Sequence, residues 1–159
     1  MKKSNLYSYV RASVIVVLVI SIVVLGVADS QTLYAAGSSG TVSSNDVYVL
    51  SKLIAGEARG ETYLGQVAVG AVVVNRVRNP NFPNSLYGVV FEPGAFDAIS
   101  DGQYYREPAS TSVQAARAAI SGWDPTEGAI YYWNPATATS RWVWSRKIIA
   151  RIGKHVFAR

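Results

Sequence analysis

The run Val67–Val74, whose sequence is Val-Ala-Val-Gly-Ala-Val-Val-Val, limits most strongly how this chain can fold. Its β-branched side chains favour a strand locally. Tyr63–Arg78, however, continues for about fifteen residues without a turn signal, which is typical of a helix. A helix that is apolar on nearly every side must be covered by other elements. We therefore predict a buried helix, capped by Thr62 and ending where polar residues return the chain to water: Asn75, Arg76 and Arg78.

Capping patterns predict two further helices. Ser43 with Asp46, and Thr111 with Gln114, resemble capping boxes, the first with the shorter acid. The first pair would start a helix that carries apolar residues at three-and-four spacing. The second pair would start an alanine-rich helix over Thr111–Ser121.

Strand-like runs concentrate toward the C-terminus. Ala129–Trp133, Arg141–Ile149 and His155–Phe157 are rich in β-branched and aromatic residues. Phe96–Ile99 precedes a turn signal and is predicted as another strand, whereas Ser85–Phe91 is either a helical turn or a strand. The predicted fold class is α+β: a mainly helical body with a small antiparallel sheet near the C-terminus.

Residues 1–36 have the pattern of an export segment. A basic head precedes the uncharged stretch 12–28, and small residues follow it. Because this stretch is at the short limit of a membrane span, it is either a cleaved signal peptide or a retained membrane anchor. Both alternatives place the rest of the chain outside the cytoplasmic membrane. Residues 37–44 are predicted to be a flexible linker, and residues 45–159 a single folded domain.

Glu57 continues the apolar face of the first predicted helix. Val47, Leu50 and Leu53 define that face, and Glu57 follows Leu50 by about two helical turns. A carboxyl group on an apolar face loses hydration, which raises its pKa and lets it act as a general acid near neutral pH. The alternative is a solvated glutamate at a helix end, or one that pairs with Arg59.

Composition excludes several classes of site. The absence of cysteine rules out a thiol nucleophile and a thiolate metal site. His155 is the only histidine, whereas zinc hydrolases normally need at least two, so a zinc site is not expected. A Ser–His–Asp triad is not expected either, because the chain has no Gly-x-Ser-x-Gly turn. We expect no metal and no cofactor. The net charge of +5 comes from scattered basic residues, so we expect no nucleic-acid partner.

The chemistry that remains for an exported enzyme is carboxylate chemistry on sugars. Aromatic side chains, whose flat apolar faces suit sugar rings, crowd the last third of the chain. Several of them should be core residues, as the strand alternation requires. Asn134 follows Trp133 directly and either hydrogen-bonds a sugar substituent or supports the turn at Pro135.

The order of short motifs resembles the cell wall hydrolase family of SleB and CwlJ spore cortex-lytic enzymes, and most closely the SleB-type catalytic domain. The resemblance extends from about Val47 to Phe157. It depends on the following segments: Gly-Glu-Ala-Arg-Gly-Glu (56–61), Gly-Gln-Val-Ala-Val (65–69), Asn-Arg-Val (75–77), Phe-Pro-Asn (82–84), Pro-Gly-Ala-Phe (93–96), Gly-Trp-Asp-Pro-Thr (122–126), Gly-Ala-Ile-Tyr-Tyr-Trp-Asn-Pro (128–135) and Ile-Gly-Lys-His-Val-Phe (152–157).

This resemblance implies a lysozyme-like cell wall hydrolase catalytic domain over residues 45–159, with Glu57 as its catalytic acid. It implies cleavage of peptidoglycan glycan strands by lytic transglycosylation, in spore cortex degradation during germination. The alternatives are a hydrolytic muramidase or glucosaminidase of the vegetative wall, and a non-catalytic wall-binding module. We expect a monomer, either secreted or tethered to the membrane through residues 12–28.

Transglycosylation is preferred because it needs one carboxylate, whereas hydrolysis needs a second. Glu61, Asp97 and Asp101 are the candidates for a second carboxylate, and none shows a sequence signal of burial. Arg59 either neutralises a muramyl carboxylate or pairs with Glu61. Gln66 is expected to hydrogen-bond the sugar or Glu57. The expected substrate-binding residues are Arg59, Glu61, Gln66, Tyr132, Asn134 and Trp144.

Overall fold

The computed structural model describes residues 43–159, and the described part is about half helical with one small sheet. The helices are α1 (Ser44–Glu57), α2 (Tyr63–Arg78), α3 (Leu86–Val90), α4 (Asp97–Ser100), a 3-10 turn (Gln103–Tyr105), α5 (Ser110–Ile120) and α6 (Arg141–Trp144). The strands are β1 (Tyr131–Trp133), β2 (Ile148–Ile152) and β3 (His155–Ala158).

Helix α2 lies at the centre of the core, as predicted from its composition. It packs against both α1 and α5, and Val67, Val69 and Val72 have no exposed surface. The methyl side chains of α5, such as Ala115, allow the helices to approach closely. Thr62 caps α2, because its hydroxyl accepts a hydrogen bond from the backbone N–H of Gly65.

The three strands form an antiparallel sheet in the order β1-β3-β2. Tyr132 of β1 pairs with Phe157 of β3, and the register of β2 on β3 shifts between Ile148 and Ala150. Phe157 is fully buried and joins the helical core. The α+β class with a small C-terminal antiparallel sheet is therefore confirmed.

Two predicted strands are wrong. Phe96–Ile99 is not a strand, since its last three residues belong to helix α4. Arg141–Ile149 is not one strand either: Arg141–Trp144 is helix α6, and β2 begins only at Ile148. Tertiary packing overrides the β propensity of the tryptophans, because Trp142 packs edge-on against Tyr131 at 5.1 Å and Trp144 against Trp133 at 5.6 Å.

Helix starts were predicted less well. Ser43 precedes α1, but its side chain makes no capping hydrogen bond. Helix α5 begins at Ser110 behind Ala109, so Thr111 lies inside the helix and does not cap it. Ser85–Phe91 resolves to the short helix α3, in which the hydroxyl of Ser85 accepts from Gly88.

The predicted N-terminal elements fall mostly outside the described residues. The export segment 1–36, its possible membrane tether at 12–28 and the linker up to residue 42 are not covered. Ser44, the last residue of the predicted linker, is already the first residue of α1. Within residues 43–159, no helix combines the length and apolar character that a membrane crossing requires.

Helices α1 and α4 meet at Gly56, one residue before Glu57. A Cβ atom at Gly56 would lie 2.6 Å from the Cβ of Ala98, closer than two carbon atoms can pack. The missing side chain therefore lets α4 approach the end of α1, which brings the backbone N–H of Ala98 to the Glu57 side chain.

We predict that Gly56→Ala lowers the free energy of unfolding by about 1–3 kcal/mol, because the new methyl group overpacks the contact with Ala98. Elsewhere in a helix the same change would be favourable by about 1 kcal/mol. Urea denaturation measures the effect. Asn45→Ala, at an exposed position of α1, is the control and should stay within about 0.5 kcal/mol of the wild type. A stabilised Gly56→Ala protein would contradict the close contact.

Asp124 organises the loop that leads into β1. Its carboxylate accepts hydrogen bonds from Asn75 Nδ2 at 2.8 Å, Thr126 N at 2.8 Å, Thr126 Oγ1 at 2.6 Å and Gly128 N at 2.7 Å. Burial raises the pKa of Asp124, but these hydrogen bonds outweigh it, so the pKa is lowered overall. The loop and strand β1 are thus tied to α2 through Asn75.

We predict that Asp124→Asn destabilises the protein at neutral pH and weakens the acid dependence of its stability. A carboxyl group with a lowered folded-state pKa stabilises above its unfolded-state pKa, and this contribution disappears as pH falls through the folded-state pKa. Thermal unfolding at a series of pH values, compared with Glu107→Gln at an exposed loop position, tests this. Equal melting-temperature losses for Asp124→Asn at neutral pH and at strongly acidic pH would refute it.

Candidate active site

Glu57, the last residue of α1, reaches into a cleft of about 370 Å³ between the helical body and the sheet. The side chain is half-buried. The cleft is lined by Glu57, Arg76, Ala95, Phe96, Asp97, Tyr132, Trp133, Asn134, Thr137, Ala138, Thr139, Ser140, Val143 and His155. Glu57 lies next to the buried face of α1, and its role as a catalytic acid stays a prediction.

Both oxygens of Glu57 accept hydrogen bonds. The backbone N–H of Ala98 donates to Oε1 at 2.8 Å, and the hydroxyl of Tyr132 donates to Oε2 at 3.0 Å. Burial raises the pKa of Glu57, the two hydrogen bonds lower it, and the nearby charges of Asp97 and Asp101 raise it. Because the net effect is upward, Glu57 retains its proton at a higher pH than an ordinary glutamate does.

Strand β1, which pairs with β3, positions the side chain of Tyr132 beside Glu57. Its ring packs edge-on against His155 at 5.4 Å and lies tilted against Phe157 at 6.0 Å. Burial, followed by the nearby Glu57 carboxylate, raises the pKa of Tyr132 well above its ordinary value, so the phenol keeps its proton. Tyr132 therefore contacts Glu57 directly. Its predicted contact with the substrate stays a prediction.

The three candidates for a second carboxylate occupy different environments. Asp97 lines the same cleft as Glu57 and is exposed. Asp101 is exposed and accepts from the backbone N–H and side chain of Gln103 at 2.9 and 2.7 Å. The Glu61 side chain is only 5% exposed, although its sequence context shows no signal of burial.

Glu61 holds the turn between β2 and β3. Its carboxylate oxygens accept from the backbone N–H of Lys154 at 3.4 and 3.2 Å, and Oε1 lies 3.6 Å from Nδ1 of His155. Gly153 leaves room for this carboxylate, since a Cβ atom there would collide with Glu61 Oε2. Burial lowers the pKa of His155 more than Glu61 raises it, so the imidazole that lines the cleft is mainly neutral at neutral pH.

Arg59 and Gln66 line a separate pocket of about 250 Å³ that does not include Glu57. Gln66 Nε2 donates to the backbone oxygen of Glu61 at 3.3 Å, and its Oε1 accepts from Ser112 at 3.1 Å. Its expected hydrogen bond to Glu57 is therefore absent. Arg59 is exposed, and within residues 43–159 the contact of ion-pair geometry that involves Glu61 is made with His155, so the pairing of Arg59 with Glu61 is absent too.

Asn134 lines the cleft of Glu57, whereas Trp144 does not. The side-chain oxygen of Asn134 accepts from Ala136 N at 2.9 Å, so the turn role and the cleft position coexist. Trp144 is 45% exposed beside Trp133. Both remain predictions as substrate-binding residues.

Arg76 is the cleft residue that the sequence missed. It was expected where α2 returns to water, yet it is 8% exposed and lines the cleft beside Glu57. Its Nε donates to the backbone oxygen of Ile130 at 2.8 Å. The sequence signal that was available is the spacing of Arg76 from Val69 and Val73, which places it on a buried face of α2.

A metal cluster is not apparent in the described part of the chain: no three His, Asp or Glu side chains converge there as ligands. The titratable side chains that line the cleft include the Glu57 carboxyl group, the Tyr132 phenol, the Arg76 guanidinium and the mainly neutral imidazole of His155.

Residues 60–158 match the protein family described as Cell Wall Hydrolase. The spore cortex-lytic enzyme of Bacillus subtilis (strain 168) is 54% identical over 130 residues, which cover 82% of this chain and 43% of that protein. The chain therefore spans a little under half the length of this relative.

Two solved structures are similar to this fold. The catalytic domain of the Bacillus cereus SleB protein has a TM-score of 0.71 at 50% identity and covers 78% of this chain and 99% of that one. The catalytic domain of the germination-specific lytic transglycosylase SleB from Bacillus anthracis has a TM-score of 0.71 at 52% identity, with coverage of 76% and 98%.

We predict that Tyr132→Phe raises the pKa of Glu57. The hydroxyl stabilises the ionised carboxylate, so its removal makes ionisation harder. A ¹³C NMR titration of the Glu57 carboxyl carbon measures this directly. Tyr131→Phe, on the neighbouring residue of β1, is the control, because Tyr131 packs on Phe82 and Trp142. An unchanged or lowered Glu57 pKa in Tyr132→Phe would show that the hydrogen bond does not stabilise the carboxylate.

Proposed function

The chain belongs to the cell wall hydrolase family, and from this premise we propose that it is a lytic transglycosylase acting on peptidoglycan. Its proposed target is the β-1,4 bond between N-acetylmuramic acid and N-acetylglucosamine. The observation that carries the proposal is the Glu57 carboxyl group, which lies in an open cleft with a raised pKa and has a hydrogen-bond partner at each oxygen. A general acid requires this combination of retained proton and defined direction.

In the first step, Glu57 transfers its proton to the glycosidic oxygen while the bond to C1 of the muramyl sugar breaks. Oε1 faces the fixed N–H of Ala98, which can only donate, so Oε2 is the oxygen that carries the proton. The hydroxyl of Tyr132 can rotate, accepting while Oε2 is protonated and donating once Oε2 is charged. Tyr132 thus serves both states of Glu57.

In the second step, the C6 hydroxyl of the same muramyl sugar attacks C1, and its proton goes to the Glu57 carboxylate. The product is a 1,6-anhydro sugar, no water is consumed, and Glu57 regains its starting proton. One carboxyl group therefore acts first as acid and then as base.

Hydrolysis is the second candidate, and one observation favours it. Asp97 lines the cleft together with Glu57 and is close enough to influence its pKa. A carboxylate on the other face of the sugar could activate water or attack C1 in a hydrolytic mechanism. Asp97 is exposed, however, and we prefer transglycosylation because it needs no second carboxylate.

The proposed substrate is the glycan of the spore cortex, degraded during germination. The support is the 54% identity to the Bacillus subtilis (strain 168) spore cortex-lytic enzyme, together with the structural similarity to the germination-specific enzyme of Bacillus anthracis. Action on this substrate requires export across the cytoplasmic membrane, either with a cleaved signal peptide or with a membrane anchor. The proposed enzyme acts as a monomer.

We predict that Glu57→Gln lowers the rate of fragment release by about a hundredfold or more, because an amide cannot supply the proton. Its melting temperature should not fall, since the substitution removes a partly buried acid. Release of soluble fragments from purified spore cortex measures the rate. Binding of the wild-type protein to cortex without any fragment release would instead identify a wall-binding module.

Mass spectrometry of the wild-type products separates the two mechanisms. Transglycosylation yields 1,6-anhydromuramyl ends, whereas hydrolysis yields products heavier by one water. Asp97→Asn is the matched variant: it should retain most activity if transglycosylation is correct. Reducing ends in place of anhydro ends, together with a large loss in Asp97→Asn, would establish hydrolysis.

A further inference from the structure

Arg76 is a buried cation that lines the cleft. It is 8% exposed, and its guanidinium carbon lies 5.1 Å from the ring centre of Phe96, 5.3 Å from Phe82 and 6.0 Å from Tyr131. The bond from Nε to Ile130 O uses one of its five N–H donors. Helix α2 and the aromatic rings thus hold the guanidinium in one place.

The charge of Arg76 has no ion-pair partner in the described part of the chain. Within residues 43–159, the only contact of ion-pair geometry is that between Glu61 and the mainly neutral His155, so no carboxylate there forms a salt bridge with Arg76. Burial lowers the pKa of Arg76, while Tyr132, Glu92, Tyr131 and Glu57 oppose this from a distance. Buried charges in proteins are normally paired, because desolvation is otherwise uncompensated. A cation of this kind beside an open cleft suits an anion supplied by the ligand.

Arg76 lies between two neighbouring pockets and lines both of them. One is the cleft of Glu57, and the other is a pocket of about 370 Å³ that includes Glu92 and Trp142. Arg76, Ala95, Tyr132 and Val143 line both. A glycan strand long enough to fill both pockets therefore passes over the guanidinium, next to the position of the bond that Glu57 would cleave.

We propose that Arg76 is a specificity-determining residue that binds a carboxylate carried by the muramyl sugar of the substrate. The inference rests on the proposed function of the cleft. The carboxylate is either that of the lactyl group itself or that of an amino acid attached to it. The remaining N–H groups at the end of the guanidinium match a carboxylate in a bidentate manner, and lysine cannot reproduce this planar geometry.

A carboxylate fits better than an uncharged sugar group. Hydroxyl or amide oxygens would satisfy the N–H donors of Arg76 but leave its charge uncompensated. Arg59, the other candidate partner of a muramyl carboxylate, is exposed and lines a different pocket. Its charge is therefore solvated and far less dependent on a partner.

Binding to the Glu57→Gln protein, which does not cleave, tests the proposal by isothermal titration calorimetry. The probe is a tetrasaccharide of alternating N-acetylglucosamine and N-acetylmuramic acid with free lactyl carboxylates. Its methyl ester lacks the charge, a muramyl-alanine version moves the carboxylate outward, and a muramic δ-lactam version removes it. We expect the free acid or the alanine version to bind about tenfold or more tightly than the ester and the lactam.

The second comparison adds substitutions of Arg76 in the Glu57→Gln background. Arg76→Met should bind acid and ester within about twofold of each other, whereas Arg78→Met, at an exposed position of the same helix, should keep the full preference. Should Arg76→Met fail to fold, Arg76→Lys replaces it: the charge remains, the planar donors are lost, and the preference should fall severalfold.

The proposal is overturned if the Glu57→Gln protein does not prefer either carboxylate probe, if it binds the lactam more tightly, or if the preference survives the substitution of Arg76. Because no probe needs to be cleaved, this result is independent of catalysis. Failure of the proposed function would appear as fragment release unaffected by Glu57→Gln. Failure of the Arg76 inference would appear only in the binding ratios.

Discussion

The convergence of two hydrogen-bond donors on Glu57 is the constraint on which the site depends. One donor is the backbone N–H of Ala98 in α4, and the other is the hydroxyl of Tyr132 in β1. Three elements that are distant along the chain must therefore meet at one side chain. Gly56 allows α4 to approach, and the pairing of β1 with β3 places Tyr132. The packing of the helical core and the sheet thus positions the three groups within hydrogen-bonding distance.

The cleft combines groups that a stable protein would ordinarily keep in water. Glu57 and Arg76 both lose hydration, and burial moves the pKa of each toward its neutral form. For Glu57 the shift suits the proposed role, since an acid catalyst must hold its proton. For Arg76 the desolvation is compensated only partly within the described residues, which makes it suited to an anionic group of the ligand. Both burials are therefore consistent with the proposed roles of the two side chains.

Much of the fold was predictable because its signals are local. The apolar run Val67–Val74 predicts a central helix, and the aromatic and β-branched runs near Ile130 and Phe157 predict strands. The failures at Phe96–Ile99 and Arg141–Trp144 involve short segments, in which propensity is weak and contacts with distant residues decide the conformation. Trp142 and Trp144 read as strand residues, but edge-on packing against β1 accommodates them in a helical turn.

By itself, the sequence determined the α+β class, the buried α2 helix and the position of Glu57 on an apolar helix face, because each follows from periodicity within one element. Only the tertiary structure decided the partners of Glu57, the burial of Glu61 against the β2–β3 turn, the separation of Arg59 and Gln66 from the cleft, and the place of Arg76 within it. The physical reason is that desolvation and hydrogen bonding depend on neighbours from distant parts of the chain, which no local pattern encodes.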